Sequence, residues 1–286
     1  MNLKKILVGI DGIKAKGEIV IEEREDNNWI YLDSYYKAEE NVANKLITLD
    51  KARNMKHIND FEDELEKIEQ KTDLILSDKQ KEAIEAVNDN NVCIITGGPG
   101  TGKTTIIKVI LELYKSKKRK TVLCAPTGRA AKRMTETTGE EAKTLHRLLE
   151  IGKIEEERTS KYNDFDVAPL DADVIIVDEM SMVDLFLMNY LVKAIYQGSK
   201  LVLVGDVDQL PSVGPGNVLR DLINSKFINV VRLKEIFRQG KESMIIVNAH
   251  KINNGEMPYL NKKGGDFFFD ARDEVENILS TILDLV

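Results

Sequence analysis

The sequence predicts an α/β fold, a parallel sheet flanked by helices, on three observations. Residues 92–105, VCIITGGPGTGKTT, read as a buried strand, a glycine turn and the start of a helix. Further aliphatic runs at 173–177 and 201–204 lack polar alternation, as buried strands do, and shorter strands are read at 121–125 and 230–233. Between them run helical periodicities, such as Ile106, Ile107, Ile110 and Leu111, then residues 185–194. Alternating strands and helices are the signature of a parallel sheet.

The glycine turn carries chemistry. The spacing Gly97-x4-Gly102-Lys103-Thr104 is a full match to a phosphate-binding loop, in the strand-loop-helix context that loop needs. Gly97, Gly98, Gly100 and Gly102 let the backbone turn its N–H groups inward, and the following helix adds its positive end. Lys103 supplies a point charge for the β- and γ-phosphates, and the Thr104 hydroxyl can ligate Mg²⁺. At the end of the 173–177 run, Asp178 can hold the Mg²⁺ shell and Glu179 can polarise the attacking water.

Composition bounds the rest. The 286 residues are 42% hydrophobic and 31% charged, enough for a large core and about two domains. The formal net charge is −7, so nucleic acid can bind only along a local basic track. No apolar run approaches the roughly 20 residues of a membrane span. Cys93 and Cys124 sit in apolar runs without partner spacing, the usage of small buried residues in a reduced, cytoplasmic protein.

In chain order, residues 1–75 differ in texture from the remainder of the sequence. MNLKKILVGI reads as folded structure, and the alternating stretch around Asn27-Asn28 as a small hairpin. Helices are expected at 35–49 and 61–70. This region has two readings, a small winged-helix-like DNA-binding unit or a packing appendage. Trp29, Tyr31, Tyr35 and Tyr36 read as core filling ahead of the alternative, a base-stacking platform. Ser77 or Asp78 caps the next helix, whose Gln80 has a carboxamide able to donate to and accept from an adenine edge. KSKKRK at 115–120 reads as a solvated helix end. After the 121–125 strand, Pro126 and Thr127 precede a helix bearing Arg129, Lys132 and Arg133. Its N-terminus and the Thr127 hydroxyl can hold a backbone phosphate, or the segment is a charged amphipathic helix. Thr144 and His146 come next, readable as DNA contacts or as structural residues. Residues 150–170 lose periodicity and read as a protruding hairpin or loop. Gln209, past the 201–204 strand, can sense a γ-phosphate. Arg238 has two readings, an arginine finger on the transferring phosphoryl group or a surface ion pair. The tail ends in an apolar helix.

Together the motifs GGPGTGKTT (97–105), APTGRAAKRM (125–134), TLHRLL (144–149), IIVDEMSMVD (175–184), LVGDVDQLPSVGPG (203–216) and EIFRQ (235–239) resemble superfamily 1 DNA helicases of the RecD type, over about residues 70–270. The resemblance implies a P-loop NTPase with a RecA-like ATPase domain 1A over 76–270, an accessory region at 1–75 and the start of a linker at 271–286. It implies ATP and Mg²⁺ as cofactors, single-stranded DNA or a duplex junction as partner, 5′-to-3′ movement, and recombination or repair subunits as further partners. By position it places the nucleotide on Gly97, Gly98, Pro99, Gly100, Thr101, Gly102, Lys103, Thr104 and Thr105, with Gln80 on adenine. It assigns Thr104 and Asp178 to the metal, and Lys103, Glu179, Gln209 and Arg238 to catalysis. Pro126, Thr127, Arg129, Thr144 and His146 line the DNA path. The family's second RecA-like domain has no counterpart motifs here. The expectation is therefore an N-terminal motor fragment of a helicase that binds nucleotide weakly and unwinds nothing by itself. The alternative is a nucleotide-switched DNA-loading module without productive turnover.

Overall fold

Strands that must be apolar on both sides need helices on both sides, and the chain supplies them in sequence order. The structure, a computed structural model, describes residues 3–24, 27–53, 56–151, 167–235, 243–260, 265–272 and 274–285. It divides into two compact units, Met1–Gly97 with Lys103–Leu233, and Gly98–Gly102 with Lys234–Val286.

The first unit opens with α1 (Leu3–Ala15), the hairpin β1 (Ile19–Glu23) and β2 (Asn28–Leu32), then α2 (Asp33–Asp50), α3 (Phe61–Thr72) and α4 (Asp78–Asp89). Next come β3 (Val92–Gly97), α5 (Lys103–Ser116), β4 (Thr121–Ala125), α6 (Gly128–Thr138), β5 (Ala142–Thr144) and the single turn α7 (Leu145–Leu148). It finishes with β6 (Val174–Val177), a 3₁₀ turn at Met180–Met182, α8 (Leu185–Ala194), β7 (Lys200–Gly205), α9 (Val218–Ser225) and β8 (Asn229–Leu233). Strands β3 to β8 form one sheet in the order β5-β4-β6-β7-β3-β8, every pair parallel.

Alternation along each strand sends side chains to two separate cores. Val92, Ile94, Ile175, Val177, Leu201 and Leu203 join Val42 and Leu46 of α2 and Met188 and Leu191 of α8. Cys93, Ile95, Ile176, Val202 and Val204 join Leu65 of α3, Ile84 of α4 and Ile106 and Ile110 of α5 on the opposite face. The sheet is thus covered on both sides, as the unbroken aliphatic runs require. Residues 38–49 pack into the first core and 58–68 into the second, so the segment before residue 75 contributes to each. Trp29, by contrast, is half exposed beneath the Arg24 guanidinium, which lies 4.9 Å from its ring centre.

The basic run after α5 is pinned by ion pairs: Lys117 to Asp60 and Glu64, Lys120 to Asp171, and Lys115 to Glu140. Lys200 has no exposed surface, and its Nζ donates to the carbonyls of Asn88 and Asn90 at the C-terminal end of α4. Both cysteines are buried and unpaired with each other, and burial pushes the Cys93 thiol up to about 12. No helix among the described residues is long and apolar enough to cross a membrane. The hairpin expected near 150–170 falls mostly on 152–166, outside the described residues.

The second unit contains α10 (Met244–Asn253) and α11 (Val275–Leu285). Ser243 caps α10, and the Asp266 carboxylate accepts from Ser243 Oγ and from the Met244 and Ile245 N–H groups. Asn248, fully buried, exchanges two bonds with the backbone of Tyr259 at 2.7 and 2.8 Å.

Candidate functional site

Parallel strands in register end together, and here the C-terminal ends carry the polar residues. Cys124 lies opposite Val177, Val177 opposite Leu203, and Thr96 opposite Gly205. Asp178-Glu179 after β6, Asp206 after β7 and Gly97 at the end of β3 therefore lie along one edge. Ligands of open α/β sheets bind at such an edge.

Two local devices draw these ends together. A Cβ on Gly205 would meet Met180 N at 3.1 Å and Leu219 Cδ2 at 3.0 Å, so the end of β7 passes close against the turn after Glu179. The Thr96 hydroxyl accepts from Val207 N–H at 3.2 Å, tying the β3 end to the β7 end. Asp178 Oδ1 accepts from Glu179 N–H at 2.8 Å. Glu179 itself has φ 55°, a left-handed conformation that costs a non-glycine residue free energy and that concentrates at functional sites.

Lys103 is the electrostatic centre of this edge. Burial lowers its pKa, the charges of Asp206, Asp178 and Glu179 oppose that lowering, and Arg133 adds to it. Its Nζ donates to the Gly97 carbonyl. Burial raises the Asp178 carboxyl, against the Glu179 N–H, Lys103 and Arg133. Burial and then the neighbouring Asp178 raise Glu179, with Lys103 and Arg133 opposing. Burial that raises a carboxyl makes its carboxylate a stronger base, the property a proton acceptor needs.

Thr104 and Thr105 lie in the first turn of α5, half-buried. Asp178 and the Thr104 hydroxyl offer hard oxygen ligands of the kind Mg²⁺ takes alongside phosphate oxygens. Among the described residues no group of three or more His, Cys, Asp or Glu is arranged to hold a metal ion without such help. Gly97 ends β3, and Gly98–Gly102 belong to the second unit. There Gly100 and Gly102 have φ 75° and 83°, which only glycine adopts freely, and the Thr101 hydroxyl donates to the Gly98 carbonyl at 2.8 Å. Pro99 is exposed.

Gln80 is nearly buried and its side-chain oxygen accepts from Ser77 N–H at 3.0 Å, while Ser77 Oγ accepts from Gln80 N–H. This reciprocal cap is written in the sequence as Ser-x-x-Gln, a signal that an adenine reading passes over. Gln209 is exposed in the turn after β7. Arg238 lies outside the described residues.

Ala125 pairs with Thr144 in the sheet, which places Pro126 and Thr127 beside Thr144 and His146 at the same edge. Thr127 caps α6 by accepting from Ala130 N–H, and Thr144 caps α7 by accepting from Arg147 N–H, each at 3.2 Å. Each hydroxyl keeps its own proton to donate. Arg129 and His146 are exposed, as is Arg147 beside them.

Two residues join the site that motif reading left without a role there. Asp206 is buried and opposes the lowering of the Lys103 pKa more than the other carboxylates do. The exposed Arg133 acts on Lys103, Asp178 and Glu179. The sequence held a signal for Asp206, a carboxylate directly after a strand-ending glycine. It held none for Arg133 beyond its place in a basic helix.

Residues 80–215 match the family model described as an AAA domain. The chain is 39% identical over 183 residues to the ATP-dependent RecD2 DNA helicase of Deinococcus radiodurans, covering 64% of this chain and 24% of that protein. It is 33% identical over 258 residues to the RecBCD enzyme subunit RecD of Mycobacterium tuberculosis, covering 81% of this chain and 43% of that one. A crystal structure of Pif1 helicase from Candida albicans aligns with a TM-score of 0.48 at 23% identity over 74% of this chain and 55% of that chain, too loose a likeness to bear on the fold. The chain spans less than half the length of these curated relatives. Over the part it spans, the chain is similar to RecD-type DNA helicases.

Proposed function

We propose that this chain carries the ATP-hydrolysing motor of a DNA helicase, coupling hydrolysis to movement on single-stranded DNA. The observation that carries the reading is Lys103, set among the charges of Asp178, Glu179 and Asp206 where neighbouring parallel strands end. Lys103 and the glycine loop hold the triphosphate. Glu179, its carboxyl raised by burial, takes the proton of the attacking water. Thr104 and Asp178 hold a divalent ion, which neutralises charge across the phosphate oxygens when bound. Gln209 and Arg238 respond to the γ-phosphate. Gln80 contacts adenine through its amide nitrogen, since its oxygen serves the helix cap.

Pro126, Thr127, Arg129, Thr144 and His146 form the DNA track. Its support is that β4 and β5 bring them side by side at the same edge as the nucleotide residues of the first unit. Residues 1–75 serve as a packing appendage, since α2 and α3 fill both cores. The 5′-to-3′ direction, and partners of the recombination or repair kind, follow from the likeness to RecD alone.

The test is ATP hydrolysis by the 286-residue chain with and without single-stranded DNA or RNA. DNA should stimulate it more than RNA, and Lys103→Ala should abolish nucleotide binding. Glu179→Gln should keep binding while turnover falls about 10²–10⁴-fold. If Glu179→Gln turns over at the parental rate, the chain is instead a nucleotide-switched DNA-loading module. Absence of nucleotide binding would sink both readings.

A further inference from the structure

The residues that contact the glycine loop from outside its own motif include one titratable side chain that neither the nucleotide site nor the DNA track uses, His250 of α10. Its Nε2–H donates to the Pro99 carbonyl at 3.3 Å. Its ring also fills the place beside Gly98, where an added Cβ would lie 2.6 Å from His250 Cε1 and 3.2 Å from Nε2. A side chain at 98 would therefore press on the imidazole, whereas Gly100 and Gly102 have backbone angles that favour glycine.

Peptide geometry turns this contact into an orienting device. The peptide unit is planar and trans, so its C=O and the next N–H point opposite ways. Two loop carbonyls are gripped, Gly98 by the Thr101 hydroxyl and Pro99 by His250. The first grip aims no donor, because residue 99 is proline and has no N–H. The second fixes the plane between Pro99 and Gly100, and so aims the Gly100 N–H away from the histidine. The helix that holds His250 is itself held. Asn248 is locked to the Tyr259 backbone, Asp266 ties down the helix N-terminus, and Lys251 pairs with Glu256 at 3.0 Å while lying over the Tyr259 ring.

We infer that His250 is a positioning residue for phosphate binding, which sets the direction of the Gly100 N–H through the Pro99 carbonyl and requires glycine at 98. This rests on the reading of the glycine loop as a nucleotide site.

The experiment measures binding of a fluorescent ATP analogue with Mg²⁺, and thermal unfolding, for five forms of the 286-residue chain: the parent, His250→Ala, His250→Gln, Gly98→Ala and the Gly98→Ala/His250→Ala double variant. His250→Ala should weaken binding roughly fivefold, the effect of one neutral hydrogen bond, without moving the unfolding midpoint. His250→Gln keeps an N–H donor and should restore most of the affinity. Gly98→Ala should weaken binding in the parent and far less once the ring is gone. Unchanged affinity in His250→Ala, or additive losses in the double variant, overturns the assignment. A parent that binds no nucleotide sinks the functional reading instead, and unfolding then decides the contact. Gly98→Ala should lower the midpoint with His250 present and spare it with alanine there, and equal shifts overturn the inference.

Discussion

Glu179 sits in a left-handed backbone conformation, beside another carboxylate, partly out of water, and each of these opposes the ionised form or the fold. Its folded pKa lies above the ordinary 4.5, so the native state holds a proton that the unfolded chain has already lost. Stability therefore falls as pH rises through that interval, and the cost is complete above the folded pKa. Glu179→Gln removes the charge while keeping the shape. It should raise the unfolding midpoint at neutral pH, with the gain vanishing well below the ordinary carboxylate range. A midpoint that drops at pH 7 would mean that the attraction to Lys103 and Arg133 outweighs burial. Lys200 shows the opposite slope. Burial takes its pKa from 10.5 to about 8, so between those values the unfolded chain keeps a proton the native chain lacks. Its contribution to stability rises with pH across that window. Denaturant titrations from pH 8 to 10.5 should show this rise in the parent and lose it in Lys200→Met.

At the scale of elements, loops are held to helices through caps that have no slack. Asp184 Oδ1 accepts from Leu187 N–H at 2.8 Å, capping α8. Its other oxygen occupies the place a Cβ on Gly214 would take, and Pro215 O accepts from Leu185 N–H at 2.8 Å. Gly214→Ala must displace Asp184, and the lost cap costs about 1 kcal/mol. Thermal unfolding should show that loss in the parent and little further loss in an Asp184→Ala background. The elements themselves are partly legible in the sequence. Residues 185–194 form the helix their pattern indicates, and the aliphatic runs at 121–125 and 201–204 lie within strands. β5 is not legible, because Ala-Lys-Thr has neither length nor alternation and is a strand only by pairing with β4. The helices α9 and α10 lack a clear local signal, α9 because it comes after a glycine- and proline-rich loop and α10 because its apolar run resembles a strand. In the site, Lys103, Asp178 and Glu179 can be read from spacing. The approach of Asp206 cannot, since it depends on β7 being the neighbour of β3, an order set by packing rather than by any local pattern.

Over the whole molecule, acidic residues outnumber basic ones by 48 to 41, so an anionic polymer meets no general attraction. The DNA track proposed above would have to be a local arrangement, and its residues leave one edge of the sheet. β4 and β5 stand at one end of the strand order, and the segments leaving them expose Arg129, His146 and Arg147. Much of the remaining basic charge is committed elsewhere: Lys115, Lys117 and Lys120 are engaged in ion pairs with α3, the turn after α6 and the segment before β6. The track should therefore be short, and few cations should govern it. For single strands, each phosphate contact contributes about 0.7 to the slope of log affinity against log salt. Arg129→Ala and Arg147→Ala should each weaken binding to oligonucleotides of any sequence and flatten that slope by roughly this amount. Lys117→Ala, which removes a cation already held by Asp60 and Glu64, should leave the slope unchanged. A slope unaffected by Arg129 and Arg147 but reduced by Lys117 would place the track away from the β4–β5 edge and remove the structural basis for that DNA path.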